Sequence, residues 1–297
     1  LDLWEGKVAV VTGASSGIGA ATALALADKG VTVVGLARRE DKIKELAART
    51  NGTIIAMKCD MLKEEEIVEV FRAIEKKLGG VDILINNAGT SVISNMVGES
   101  SSMFIMYNGL GIATREALKS MRTRGDDGQI ININRYSSNT HRFILPQNDE
   151  AHFTLRCDLF SSFCKEHPNK CMVCYSLLGH QIPHFKGFNS GIYSPSKFAV
   201  TALTETISHE LSVLNSNIKV SSVSPGLVKT ELVLKLALEF KAKNLSLAFA
   251  AMNFIESADI ADGIVYILST RPNVQVNKHL ITYYLWYGVK FFGTIDI

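Results

Sequence analysis

Cysteine is scarce outside one segment of this sequence. Four of the five cysteines, Cys157, Cys164, Cys171 and Cys174, lie close together, and the remaining one is Cys59. With a single cysteine elsewhere, no disulfide framework is predicted outside that segment. Disulfides persist mainly in oxidising compartments, so this pattern favours a reducing, cytoplasmic location.

The sequence also lacks a dominant charge and a long hydrophobic run. Its formal net charge is only +2, which predicts no nucleic-acid partner. The longest apolar stretch, at 280–295, is interrupted by Lys290 and falls short of the ~20 residues that span a bilayer. No basic segment followed by an apolar core stands near its start, so no signal peptide is predicted. We therefore expect a protein without a transmembrane segment.

Short β-branched runs alternate with helical patterns along the chain. Strands are predicted at 7–12, 31–37, 53–60, 81–89, 128–134 and 217–226, the fourth and sixth of these stretches ending in a turn, with helical stretches between and after them. Continuous apolar strands that alternate with helices predict a parallel sheet covered on both faces. The predicted fold class is α/β, a single Rossmann-type doubly wound domain over 1–297 with about seven strands, the seventh being weak. Ligands of such sheets bind at the C-terminal ends of the strands.

The first predicted strand leads into a glycine-rich turn, TGASSGIG at 12–19. Gly13, Gly17 and Gly19 would let the backbone approach a pyrophosphate, and the N-terminus of the following helix would favour its charge. A tight strand–helix turn without a ligand is the alternative interpretation. The spacing of the glycines favours a nucleotide.

Two arginines, Arg38 and Arg39, follow the second predicted strand. NAD-binding folds usually place an acidic residue here to bind the ribose 2′-hydroxyl, whereas an arginine accommodates a 2′-phosphate. Ala37 stands in the place of the acid. Two solvated arginines at a strand end are the alternative, but the missing acid favours NADP(H) as the cofactor.

The stretch YSPSK at 193–197 opens a predicted helix. Tyr193 and Lys197 are four residues apart, so they share one helix face. A nearby ammonium lowers the pKa of a phenol from ~10 and makes it a usable acid or base. Such a pair is a weak signal alone and a strong one after a glycine-rich nucleotide turn. Asp60 and the turn at 86–89 end two further strands, and they either serve simple turn chemistry or line the same cofactor.

Five motifs in this order resemble the short-chain dehydrogenase/reductase family. They are TGASSGIG, NNAG at 86–89, Asn108 within YNGLG, YSPSK, and SPGLVKT at 224–230. The resemblance covers residues 4–134 and 176–276. Within the family, stretches such as TREALKSM and AVTALTETISHEL are most similar to the NADP-dependent farnesol dehydrogenases of insects and to related vertebrate dehydrogenase/reductases.

The resemblance implies hydride transfer between a nicotinamide and a small apolar alcohol or carbonyl compound, farnesol-like or steroid-like. Tyr193 would be the general acid/base, Lys197 would lower its pKa and hold the nicotinamide ribose, and Asn108 would support a proton-relay water. The resemblance implies no metal. It implies that the protein forms a homodimer or a homotetramer. The implied cofactor-binding residues are Gly13, Ser15, Ser16, Gly17, Ile18, Gly19, Arg38, Arg39, Asp60, Met61, Asn87, Ala88, Gly89, Tyr193, Lys197, Pro225, Gly226, Val228 and Thr230.

One catalytic residue of the family pattern is displaced along the chain. The family has a serine just past the fifth strand, followed by two small or apolar residues and a glycine, and this serine polarises the carbonyl. The stretch IININRYSSNT lacks this pattern, whereas Ser176 in SLLG fits it. Joining Asn134 to Ser176 gives IININSLLGHQIP, an uninterrupted family sequence. Residues 135–175 are therefore predicted to be an atypical insertion in front of the catalytic serine.

Three interpretations of this insertion stay open. A metal site could use the CxxC pair Cys171 and Cys174 with nearby cysteines and histidines, but the spacing matches no familiar zinc finger. A substrate lid is the second, although long unstructured loops inside compact domains are uncommon. A retained intron is the third, which we favour. The codons of Arg135-Tyr136 can contain a splice-donor pattern, and those of Tyr175-Ser176 can contain a splice-acceptor pattern. Splicing between the two would restore one serine codon.

The end of the chain also departs from the family. Residues 277–297 are predicted to be an atypical tail, either a second aberrant segment or one that packs on a partner or membrane surface. The alternative to an enzyme is thus a catalytically impaired product of an aberrant transcript that at most binds nucleotide. A reductase-like interaction protein is a further hypothesis.

Overall fold

A computed structural model describes residues 2–89, 108–135, 193–234 and 254–281. In this part of the chain the strands are β1 (Val8–Thr12), β2 (Thr32–Ala37), β3 (Ile54–Lys58), β4 (Ile83–Asn86), β5 (Gln129–Ile133), β6 (Lys219–Pro225) and β7 (Lys278–Ile281). They form one seven-stranded sheet in the order β3-β2-β1-β4-β5-β6-β7. Every neighbouring pair runs parallel.

A helix separates each pair of successive strands described, as the alternating pattern predicts. Those of the described residues are α1 (Gly17–Ala27), α2 (Glu40–Ala47), α3 (Glu64–Leu78), α4 (Leu110–Thr123), α5 (Tyr193–Val213) and α6 (Ser257–Leu268), and a short 3-10 helix at Asp2–Trp4 precedes β1. The sequence of α3 shows why it forms where it does. It begins with three glutamates, has two lysines in its last turn and ends at Gly79 with φ 82°, which suits the helix dipole and a left-handed cap.

The sheet is buried on both faces, because successive side chains of a strand point to opposite sides. In β1, Ala9 and Val11 pack in a core layer with α1, α2 and α6. Val8 and Val10 pack in the other layer with α3, α4 and α5. Apolar residues on both faces are what a parallel sheet between helices requires. The predicted Rossmann-type doubly wound fold is confirmed.

The strand order reverses between β1 and β4. From β1 the chain runs outward through β2 to β3, and it then returns to β4 and runs the other way to β7. Loops that leave the C-terminal ends of β1 and β4 therefore diverge and open a crevice, which is where open α/β sheets bind ligands.

The two segments predicted to be atypical lie largely outside the described residues. Of the predicted insertion 135–175, the structure describes Arg135, two residues after the end of β5. Of the predicted tail 277–297, the first residues contain β7, which pairs with β6 from Ser222↔Lys278 onward, so the sheet extends into this tail. The boundaries of both segments remain predictions. Among the helices described, none is long and apolar enough to cross a bilayer.

Candidate cofactor and active site

The glycine-rich turn between β1 and α1 lies against the loop that follows β4. Gly13 has φ 69° and Gly17 has φ 57°, a conformation that side chains rarely adopt. A Cβ added to Gly13 would lie 2.9 Å from the Cα of Ala88, and one at Gly19 would meet Asn87. The glycines therefore allow close backbone approach at the crevice, which is the geometry that a pyrophosphate needs.

Thr12, the last residue of β1, ties this turn to the loop after β4. Its hydroxyl accepts hydrogen bonds from the backbone N–H groups of Asn87 (3.0 Å) and Ala88 (2.9 Å). The Asn87 side-chain amide donates to the carbonyl of Thr12 at 2.9 Å. The structure thus brings Asn87 and Ala88 beside the glycine-rich turn, and Gly89 follows them, exposed to solvent.

The end of β2 carries Arg39 toward the same turn. Its Nη2 lies 3.3 Å from the hydroxyl oxygens of both Ser15 and Ser16. The guanidinium also pairs with Glu231, with Nη1–Oε1 at 3.0 Å and Nη2–Oε2 at 2.7 Å. Arg38 is exposed to solvent. Of the two predicted phosphate ligands, Arg39 is the one that meets the glycine-rich turn.

The turn between β3 and α3 contains Asp60 and Met61. A carboxylate oxygen of Asp60 accepts from the N–H of Leu62 at 3.1 Å, so its side chain takes part in turn chemistry. Met61 is buried, and a Cβ at Gly109 would meet its carbonyl oxygen. This contact puts the turn next to the start of α4, where Asn108 is exposed.

Lys197 lies in the first turns of α5, buried against the end of β5. Its Nζ donates to the carbonyl oxygen of Ile133 at 3.0 Å. Burial, and secondarily the charge of Arg135, lower the pKa of the Lys197 ammonium to about 7. Tyr193 is the first residue of α5. The side chain of Tyr193 and the whole of Ser176 lie outside the described residues.

The segment after β6 passes over the glycine-rich turn. A backbone bridge pairs Val228 with Ile255, and Ile255 both accepts from Lys229 N–H and donates to Leu227, each at 2.9 Å. This anchoring brings Thr230 against Gly17, where an added Cβ would lie 3.1 Å from the threonine methyl. Pro225 ends β6, with Gly226 next to it. The segment therefore closes the crevice from the β6 side.

A family model described as short chain dehydrogenase matches residues 7–145 and 179–239. The chain belongs to the short-chain dehydrogenase/reductase family. It is 36% identical over 288 residues to the farnesol dehydrogenase of Aedes aegypti, covering 94% of this chain and 96% of that protein. It is also 36% identical over 287 residues to dehydrogenase/reductase SDR family member 11 of Bos taurus, with 93% and 95% covered. The resemblance predicted from the motifs is confirmed.

A solved structure shares the fold of this short-chain dehydrogenase/reductase. A metagenomic short-chain oxidoreductase in complex with NADP superposes with a TM-score of 0.65, at 20% identity, covering 95% of this chain and 99% of that one. At that identity the likeness concerns the fold. Among the described residues no group of three or more His, Cys, Asp or Glu side chains could hold a metal ion, and the cysteines at 157–174 lie outside them.

Several residues of the site were not predicted from the sequence. Asn132 of β5 donates to Thr204 of α5 and accepts from Asn86 of β4, both at 2.9 Å. Asn134 donates to Thr201 of α5 at 2.8 Å. These buried amides fasten α5, and with it Lys197, to the sheet. The alternation of Ile and Asn in IININ could have predicted these contacts, because polar residues in a buried strand need hydrogen-bond partners.

Proposed function

We propose that the chain is an NADP(H)-dependent oxidoreductase that transfers hydride between the nicotinamide and an alcohol or carbonyl substrate. The observation that carries the cofactor choice is the position of Arg39, whose guanidinium lies within 3.3 Å of the Ser15 and Ser16 hydroxyls. A guanidinium and two hydroxyls are a suitable donor set for a 2′-phosphate. Ala37, buried at the end of β2, offers no carboxylate for the 2′-hydroxyl of NAD(H).

The described residues fit the rest of the cofactor as well. The turn with Gly13, Gly17 and Gly19 would take the pyrophosphate, while Val228 and Thr230 would face the nicotinamide end. When bound, the cofactor supplies or accepts the hydride. Tyr193 would exchange a proton with the substrate oxygen. Lys197 would hold the nicotinamide ribose and, when protonated, stabilise the tyrosinate.

The remaining roles follow the family pattern. Ser176 would donate a hydrogen bond to the substrate oxygen, and Asn108 would hold a proton-relay water. The substrate would be a small apolar compound. A farnesol-like compound is suggested by the Aedes aegypti relative, a farnesol dehydrogenase, and a steroid-like compound is the alternative. We further propose a cytoplasmic homodimer or homotetramer.

The two adjacent arginines provide a matched experiment for the cofactor. With farnesol and a steroid ketone as substrates, kcat/KM is measured for NADP(H) and NAD(H) in the wild type, in Arg39→Ala and in Arg38→Ala. Loss of a charge-assisted contact of a few kcal/mol should reduce kcat/KM for NADP(H) about 10- to 100-fold in Arg39→Ala and leave NAD(H) nearly unchanged. Arg38→Ala should have a much smaller effect. A wild type that prefers NAD(H), or an Arg39→Ala variant that keeps its preference, contradicts the proposal.

A further inference from the structure

Glu231 occupies the donors that a 2′-phosphate would use. Its two carboxylate oxygens accept from Nη1 and Nη2 of Arg39 at 3.0 and 2.7 Å, a bidentate arrangement. The same Nη2 lies 3.3 Å from the hydroxyls of Ser15 and Ser16. The pair therefore joins the end of β2 to the segment after β6, across the crevice.

The backbone that leads to Glu231 is anchored to the rest of the fold, and Glu231 itself lies in a helical turn. Before it, the bridge between Val228 and Ile255 anchors the segment to the residues that precede α6. After it, a helical turn begins, in which Leu234 N–H donates to the carbonyl of Thr230 at 2.9 Å. Thr230 itself packs on Gly17. The carboxylate is thus presented to Arg39 by an ordered stretch of backbone.

We propose that Glu231 is a specificity-determining residue that competes with the 2′-phosphate of the cofactor for Arg39. This inference rests on the proposed NADP(H) function. A phosphate and a carboxylate cannot both accept the same two N–H groups, and like charges brought together repel each other. A cofactor without the 2′-phosphate leaves the pair intact. Glu231 therefore makes the ratio of affinities for NADP(H) and NAD(H) smaller than Arg39 alone would make it.

The competition also links the two ends of the cofactor. Glu231 is adjacent to Thr230, which packs on the glycine-rich turn and belongs to the predicted nicotinamide end of the site. When a phosphate binds Arg39, the carboxylate must move away, and the segment that begins at Thr230 loses its ion pair with Arg39. Binding at the adenosine end is in this way coupled to the segment after β6.

The size of the effect is limited by solvent. The side chains of Arg39 and Glu231 are 46% and 37% exposed, and exposed ion pairs contribute little because water screens them. For Glu231→Gln we expect binding of a 2′-phosphorylated nucleotide to tighten about 2- to 5-fold, as the loss of one exposed competitor allows.

The experiment uses two nucleotides that differ only in the 2′-phosphate, adenosine 2′,5′-bisphosphate and 5′-AMP. Their dissociation constants are measured by calorimetry at low salt for the wild type, Glu231→Gln, Arg39→Ala and the double variant. Glu231→Gln should tighten the bisphosphate and leave 5′-AMP within twofold, and the gain should shrink when Arg39 is absent. Glu205→Gln is the matched control, because it breaks an exposed pair with Lys278 and changes the net charge equally, but lies toward the β7 edge of the sheet.

The outcomes separate this inference from the proposed function. If the wild type binds the bisphosphate no better than 5′-AMP and Arg39→Ala changes nothing, both fail. If Arg39 proves essential for the bisphosphate while Glu231→Gln stays within twofold of the wild type, the competition alone is wrong. An equal gain in Glu205→Gln, or an equal gain for 5′-AMP, also overturns it, because the effect would then come from net charge.

Discussion

The buried ammonium of Lys197 makes the stability of the cofactor-free protein depend on pH. Burial, followed by the charge of Arg135, lowers the pKa of this lysine to about 7 in the folded chain, whereas an unfolded chain has a lysine pKa of ~10.4. Between these values the unfolded state binds a proton that the folded state has released. The free energy of unfolding should therefore rise with pH between about 7 and ~10.4. Below this window Lys197 is protonated in both states, so it adds no pH dependence.

We expect Lys197→Met to remove this pH dependence. One proton contributes a slope of at most about 1.4 kcal/mol per pH unit to the free energy of unfolding. Urea unfolding of wild type, Lys197→Met and the exposed control Lys119→Met, at several pH values between about 7 and 10, measures the slopes. Only Lys197→Met should be flatter than the wild type. Equal slopes in all three would mean that Lys197 is charged in the folded protein.

Tyr193 begins the helix that carries Lys197, and we expect Tyr193→Phe to abolish turnover. Phenylalanine keeps the ring and removes only the transferable proton, so NADPH binding should remain nearly intact. Loss of a positioned acid/base should lower kcat by about 10²- to 10⁴-fold or more. Fluorescence titration with NADPH and initial rates measure the two effects, and Tyr266→Phe, on an exposed tyrosine of α6, is the control. Turnover within a few-fold of wild type would assign the proton to another residue.

The residue identities at the strand ends were largely predictable, but the direction of their side chains was not. The sequence predicts arginines after β2, and in the structure both are exposed, but it is Arg39 that meets Ser15 and Ser16. Nothing in the sequence indicates that Glu231 reaches Arg39, because the two are 192 positions apart. Their meeting depends on how the segment after β6 folds back over the crevice.

Several secondary-structure elements meet at Asp82, which precedes β4 at the N-terminal end of the strands, opposite the candidate site. One carboxylate oxygen of Asp82 accepts from the N–H of Val8 at 2.7 Å, and the other accepts from the Arg124 guanidinium. Arg124 also donates to the carbonyl of Val81 at 2.8 Å. This side chain therefore fastens the start of β1, the start of β4 and the end of α4 to one another.

We expect Asp82→Ala to destabilise the fold without changing cofactor choice. It leaves the buried N–H of Val8 without its partner and the Arg124 charge without its carboxylate, which should cost about 2–4 kcal/mol. Chemical denaturation measures this loss. Arg122→Ala, which removes a loose exposed pair with Asp126 at 3.9 Å, should change stability by less than about 0.5 kcal/mol. A loss for Asp82→Ala as small as that of the control would contradict this account.

Most element boundaries followed from the pattern of apolar residues. β1, β2 and β5 lie within the predicted stretches 7–12, 31–37 and 128–134, because continuous apolar runs have only one stable place in this fold, between two helical layers. The stretch predicted at 53–60 extends beyond β3, whose last residue is Lys58. Its end forms a turn in which Asp60 accepts from the N–H of Leu62, and a propensity pattern does not register such a contact. The turn predicted at the end of 81–89 does follow β4, and the Thr12 hydroxyl accepts from its backbone N–H groups.

At the scale of the whole molecule, the crevice is assembled from distant parts of the chain. The turn after β1 contacts the loop after β4 at Ala88 and the segment after β6 at Thr230. On its other side, Lys197 is held at the end of β5. A change that displaces β5 or α5 should therefore affect turnover without unfolding the half of the sheet formed by β1, β2 and β3.

The predicted insertion begins at the end of β5, where a displacement should affect turnover. Asn134 is fastened by its N–H to the carbonyl of Val223 at 2.7 Å and by its amide to Thr201. The chain therefore exits beside Lys197, and the family pattern requires Ser176 directly afterward. Closing a longer loop costs little entropy, since the cost grows only logarithmically with length. Misplacing Ser176 by about an ångström, in contrast, can lower the rate on the order of 10²-fold.

We therefore expect a variant that joins Asn134 directly to Ser176 to turn over faster and to melt at a higher temperature than the full chain. It should also be more soluble, because the insertion carries many apolar residues with no predicted place in the core, among them Phe143, Ile144, Leu145, Phe153, Leu159, Phe160 and Phe163. The two chains are compared by thermal melts and by NADPH oxidation. Both are measured with and without zinc, because the cysteines at 157–174 could stabilise the insertion by binding this metal. Deletion that lowers both melting temperature and activity, or stoichiometric zinc binding by the full chain, would make residues 135–175 a working part of the enzyme. A deletion that raises both would support the proposal that Ser176 acts directly after Asn134, beside Lys197.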